Sequence, residues 1–157
     1  FVCGPGRSLR LEVEARARPG PFAAEVRPVA LPRGDAESVP LAAARLLARV
    51  WASGEPERLD LSIARRLALA PDRVETLPIA APARGCVEVL AALDQGGRWV
   101  ELRLRDGVVG EPQRARGAHT ASQRLCGTDR ARAGTVELSV DEGPADALVV
   151  VRSVPAP

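Results

Sequence analysis

Along residues 135–141 apolar and polar positions alternate, with Val136, Leu138 and Val140 in one phase and Glu137, Ser139 and Asp141 in the other. A period of two marks a strand with one buried face. After the turn sequence EGPAD, the stretch ALVVVRSV (147–154) is apolar in both phases and predicts a strand covered on both sides. The two read together as a hairpin. Upstream, RVETLPI (73–79) predicts a strand, and GCVEVLAAL (85–93) a second with Val87, Val89 and Ala91 in phase. RWVELRLRD (98–106) predicts a third with Val100, Leu102 and Leu104 inward, and DQGG before it has the composition of a hairpin turn. Residues 73–157 therefore predict a small antiparallel β-sandwich, jelly-roll-like and complete.

The pattern changes over residues 34–72. Ser38 is placed to cap a helix, Pro40 suits its first turn, and Leu41, Ala44, Leu47 and Trp51 recur on one stripe until Gly54. A helix over about 39–52 follows. In LDLSIARRLALAP, Asp60 or Ser62 offers a cap, Ile63, Leu67 and Ala70 share a phase, and Pro71 is a stop, so a second helix is expected. Together they predict a helical connector, its apolar stripe packed across a neighbouring sandwich or between the two modules because such a stripe must be covered. Arg45 and Arg49 flank that stripe and would suit a docking surface.

Sliding the chain on itself by 123 positions aligns residues 1–32 with 124–155 without a gap, pairing Cys3 with Cys126, Gly4 with Gly127, Gly20 with Gly143 and Pro21 with Pro144. Residues 1–33 then read as the last part of a first sandwich module whose earlier strands lie outside this sequence, a leader having been removed or the segment cut from a longer precursor. A lone hairpin is marginal in water. The partial module is expected to be completed by those strands or by another chain.

The repeat also accounts for the odd number of cysteines. A Cys86–Cys126 disulfide would staple the complete module, and Cys3 corresponds to Cys126 without its partner. Such a bridge implies an oxidising place: periplasm, cell envelope or exterior. Three scattered cysteines and one histidine do not make a zinc site, and no cofactor is expected.

Composition narrows the function. The 22 basic residues are all arginine and are nearly balanced by 20 acids, leaving a net charge of +2. That is too even for a dedicated nucleic-acid binder, and no apolar run approaches the ~20 residues of a membrane span. Only Trp51 and Trp99 offer an indole, so a glycan or anionic surface would have to be met by Trp99 beside Arg103 and by the loop carrying Arg114, Arg116 and Arg124. His119 and Ser122, with Asp106 or Asp129, could in principle assemble a small hydrolase, but there is no GxSxG elbow and no glycine pair for an oxyanion hole. GPGR (4–7) lacks the GK[ST] that a phosphate loop needs and reads as a turn.

The order of GCVEVLAAL, RWVELRLRDG, RLCGTDRARAGTVELSV and EGPADALVVV resembles the bacterial pre-peptidase C-terminal (PPC) type of β-sandwich, as found in envelope proteins of GC-rich bacteria such as myxobacteria. Residues 1–32 resemble its last two elements only. The resemblance implies an accessory, non-catalytic domain that folds outside the cytoplasm and makes protein or surface contacts. The acids that often begin the third strand of that group stand here as Gly97, Arg98 and Trp99, which removes the basis for a Ca²⁺ site. The expected protein is thus mainly β, a non-enzymatic interaction module for a partner protein or a second copy of itself, with a glycan as alternative ligand. Its candidate contact residues are Trp99, Arg103, Arg114, Arg116, Arg45 and Arg49.

Overall fold

The computed structural model describes residues 33–52, 59–106 and 112–155. The early repeat copy over 1–32, with Cys3, and the helix stop at Gly54 lie outside them. Among the described residues, eight strands form two four-stranded antiparallel sheets. They are β1 (Arg65–Leu69), β2 (Glu75–Ala81), β3 (Gly85–Leu93), β4 (Trp99–Arg105), β5 (Gln113–Ala118), β6 (Thr120–Cys126), β7 (Arg132–Asp141) and β8 (Ala145–Pro155).

One sheet has the order β1-β8-β3-β6 and the other β2-β7-β4-β5. Only the β4–β5 connection stays within a sheet; every other one crosses between them, which is the double Greek key of a jelly roll. The alternating phases point as expected. Val87, Val89, Ala91, Val100, Leu102, Leu104, Val136, Leu138 and Val140 all lie in the core between the sheets.

Two expected hairpins are corrected by this topology. β3 and β4 belong to opposite sheets, as do β7 and β8, so DQGG and EGPA are corners that carry the chain across the sandwich. A turn sequence specifies a reversal but not whether the strands beyond it bond each other. The two corners touch: Gly96 has φ 77°, and a Cβ there would stand 2.3 Å from the Pro144 carbonyl oxygen. Glycine allows that approach.

Residues 113–126, expected as an arginine-rich loop, are the edge strands β5 and β6. Their side chains are mostly polar. Their stability comes from pairing, β5 with β4 and β6 with β3. Within β6, Cys126 stands directly opposite Cys86 on β3, and the two are disulfide-bonded with Cα atoms 4.0 Å apart.

The second expected helix is also corrected. Asp60 does cap, accepting the Ser62 amide at 2.8 Å, but only a single 3₁₀ turn follows at Leu61–Ile63. The chain then extends as β1, pairing with β8 from Arg65↔Val149 to Leu69↔Ala145. In RRLAL the spacing that suits a helix also suits a strand, and an open edge on β8 decides.

The first helix forms as α2 (Pro40–Ala52), after a short α1 (Asp35–Ser38). Its buried face is Ala42, Ala43, Leu46 and Val50, packed on Leu90, Ala92, Leu148 and Val150 from the outer side of the first sheet. Of the expected stripe, Ala44 is buried and Leu47 packs half-buried on this cluster, while Leu41 and Trp51 are exposed. The corner after β3 fixes how the helix is turned. There Asp94 Oδ1 accepts the Leu41 and Ala42 amides at 2.8 and 3.0 Å, while Arg45 Nη1 donates to the Leu93 and Asp94 carbonyls at 2.6 and 2.7 Å. Asp94, rather than Ser38, caps the helix; the Ser38 hydroxyl instead donates to the Asp35 carbonyl at 2.8 Å. Burying Leu46 and Val50 each stabilises by about 1.5–3 kcal/mol. β8 is therefore covered on both faces, as its apolar run requires.

Candidate functional site

Alternation along β4 sends Val100, Leu102 and Leu104 inward and leaves Trp99, Glu101, Arg103 and Arg105 on the outer face of the second sheet. Register then builds the surroundings. Trp99 lies opposite Ala118 and Asp141, Glu101 opposite Arg116 and Ser139, and Arg103 opposite Arg114 and Glu137. The methyl group of Ala118 leaves room for the indole, which is partly exposed. The guanidinium carbons of Arg116 and Arg98 stand 5.1 and 5.7 Å from its ring centroid, within cation–π range.

Ion pairs hold these arginines. Arg116 bonds Asp141, Arg105 bonds Glu137, and Arg103 bonds Glu101. The hydrogen bond from Arg103 to Glu101, with that carboxylate's charge, raises the pKa of Arg103 further above the arginine range. Arg114 is exposed and pairs with no acid among the described residues. The fold thus gathers Trp99, Arg103, Arg114 and Arg116 on one sheet face.

Arg45 and Arg49 lie elsewhere, on the wall of a cleft of about 690 Å³ between α2 and the outer face of the first sheet. Arg45 grips the β3–β4 corner, and burial lowers its pKa against the opposing pull of Asp94. Arg49 reaches across the cleft, its Nη2 donating to Ser122 Oγ on β6 at 2.7 Å. The floor includes Glu88 of β3, which accepts from buried Arg152 of β8 at 2.7 and 3.0 Å and has Arg124 of β6 at 3.5 Å on its other side. Neither Glu88 nor Arg152 was singled out from the sequence. The available signal was one charge of each sign set inside two apolar strands, GCVEVLAAL and ALVVVRSV.

His119 turns the chain from β5 to β6 with φ 65°. Its amide donates to the Arg98 carbonyl at 3.1 Å, and its own carbonyl accepts the Leu93 amide at 2.8 Å, so this residue stitches the two sheets at their shared end. Desolvation, and then the charges of Arg45 and Arg98, push the imidazole below the ordinary histidine value of 6.5. Its Nδ1 is buried without a hydrogen-bond partner. Ser122 and His119 share the cleft, but the Ser122 hydroxyl is held by Arg49. The acids considered with them pair elsewhere, Asp106 with Arg132 and Asp129 with Arg84. Among the described residues, no group of three His, Cys, Asp or Glu side chains is disposed to hold a metal, and no helix is long and apolar enough to cross a membrane.

No protein-family model matches the chain, and no curated protein matches it.

Proposed function

We propose that this chain is a non-catalytic interaction module that binds a partner protein through the outer face of the β2-β7-β4-β5 sheet, within a cell-envelope or extracellular assembly. One observation carries the reading: Trp99, partly exposed on a rigid strand, lies against the guanidiniums of Arg98 and Arg116. Tryptophan and arginine dominate the residues that supply binding energy at protein interfaces. Arg116 is anchored by Asp141 and Arg103 by Glu101, so these side chains lose little freedom on binding. The mixture of Glu101, Glu137 and Asp141 with Arg103, Arg105 and Arg114 supplies a charge pattern that selects among partners. The Cys86–Cys126 bridge accords with an oxidising compartment, and the strand layout resembling PPC sandwiches accords with an accessory role.

A glycan or anionic surface is the second reading, favoured by an indole that faces outward. The two guanidiniums already lie against the ring that a sugar would stack on, which weighs toward a protein. To test this, the immobilised chain and its Trp99→Ala variant are exposed to envelope extract, retained proteins are identified, and the recovered partner is titrated against both. The expected result is a defined partner whose affinity falls roughly 30-fold or more, the loss of an interface anchor of about 2 kcal/mol. Equal retention by Trp99→Ala, binding to a glycan array with no protein partner, or ester turnover that disappears in Ser122→Ala would each overturn the proposal.

A further inference from the structure

We infer that the cleft between α2 and the first sheet is a separate binding site for a small organic anion, a carboxylate or phosphate carried on an apolar body. Its volume of about 690 Å³ falls within the range of small-ligand sites. Two features define the chemistry.

The first is an imbalance of charge. Glu88 is already met by Arg152 and Arg124, while Arg45 gives its protons to backbone carbonyls and Arg49 gives one to a hydroxyl. Arg49 makes no ion pair among the described residues, and its guanidinium has five N–H donors in a fork that matches a carboxylate or phosphate. The imidazole of His119 shares the cleft and makes no side-chain hydrogen bond among the described residues. Burial first, and then the charges of Arg45 on the cleft wall and Arg98 outside it, hold that imidazole below its ordinary pKa.

The second is the arrangement of the walls. Thr120 and Ser122 both line the cleft, because β6 alternates and Ala121 takes the inward phase, and the Ser122 hydroxyl stands beside Arg49. Ala48 and Ala52 of α2 and Ala118 of β5 supply exposed apolar surface in the same cleft. Polar groups at one place and apolar walls around them fit an anionic head on a nonpolar body, whereas an extended polyanion would require a longer basic track.

The chain has one histidine, so the His119 ring resonances report binding without assignment ambiguity. Phenyl phosphate, benzoate and the neutral benzyl alcohol are titrated at fixed pH into the wild-type chain and into Arg49→Gln and Arg114→Gln. The expected result is a saturable His119 shift with one or both anions, benzyl alcohol at least tenfold weaker, a tenfold or greater weakening in Arg49→Gln, and no change in Arg114→Gln. Which anion saturates first identifies the head group. The site is overturned if neither anion saturates at concentrations on the order of 10 mM, where even a Kd of about 1 mM would be filled. It is equally overturned if benzyl alcohol matches the anions, or if Arg49→Gln binds as wild type does. Arg49 is exposed and makes a single hydrogen bond to a hydroxyl, so its replacement leaves the fold in place. Ser122→Ala provides a second variant, expected to weaken the anion without altering circular dichroism.

Discussion

Asp94, at the corner after β3, caps a helix far earlier in the chain, its Oδ1 accepting the amide of Leu41, 53 residues before it, at 2.8 Å. The same oxygen accepts the Ala42 amide, so one carboxylate satisfies two of the amides that a helix start leaves open. A cap supplied from another element also docks the helix. Asp94→Ala is expected to lower stability by about 1–2 kcal/mol, read as a shift in the urea midpoint. Hydrogen exchange should rise first in α2. Uniform acceleration across the sheets instead would show that the cap does not dock the helix locally.

The Cys86–Cys126 bridge joins directly opposed residues on β3 and β6 and closes a separation of 40 residues. Removing it as Cys86→Ala/Cys126→Ala should cost about 3–4 kcal/mol through the larger freedom of the unfolded chain. Urea unfolding with and without reductant measures this. A wild-type midpoint unmoved by reductant would count against it.

Glu88 and Arg152 form an ion pair whose side chains are only 12% and 8% exposed. Glu88→Ala strands Arg152 without its carboxylate and should destabilise by about 3 kcal/mol, whereas Glu88→Leu with Arg152→Met removes both charges and should restore most of that loss. A double variant as unstable as Glu88→Ala would show that the pair contributes net stability.

His119 titrates lower in the folded chain than unfolded, because burial and the charges of Arg45 and Arg98 disfavour its proton. The unfolded chain therefore takes up this proton at higher pH. The His119 contribution to stability holds above the unfolded value of 6.5, then declines as pH falls through 6.5 and on through the folded pKa. Melting temperatures at about pH 7.5 and about pH 5, in the wild type and in His119→Asn, separate this from carboxylate effects. Asparagine tolerates the left-handed backbone at this position. The wild type should lose more on acidification than the variant, and equal losses would remove His119 as the cause.

Much of the fold was legible in the chain. The inward phases of β3, β4 and β7 were readable because a strand's faces alternate locally, and the double apolar run of β8 announced cover on both sides. The cysteine pair was readable because Cys86 opens one strand and Cys126 precedes the last two, so a bridge ties the front of the module to its back. β5 and β6 were not, because QRARGA and TASQRLC carry few apolar residues and hold their form through partners on β4 and β3. Trp99, Arg103, Arg114 and Arg116 were all named from the sequence. Their meeting on one face depends on the register between β4 and β5, which no local pattern encodes. Arg45 and Arg49 were legible as flanks of the first helix's apolar stripe, and the structure puts them in a different surface.

Periodicity acts over a few residues, so the chain's own pattern settled strand phase, the presence of α2 and the apolar cost that each element had to hide. Choices between locally equivalent options needed distant groups. An open edge on β8 drew RRLAL into a strand, Asp94 and Arg45 fixed how far α2 is turned on the sheet, and the stacking of Gly96 on Pro144 accompanied two turns that became corners between sheets. These contacts form only when segments far apart in sequence are brought together, and burial of the shared core supplies the free energy that orders them.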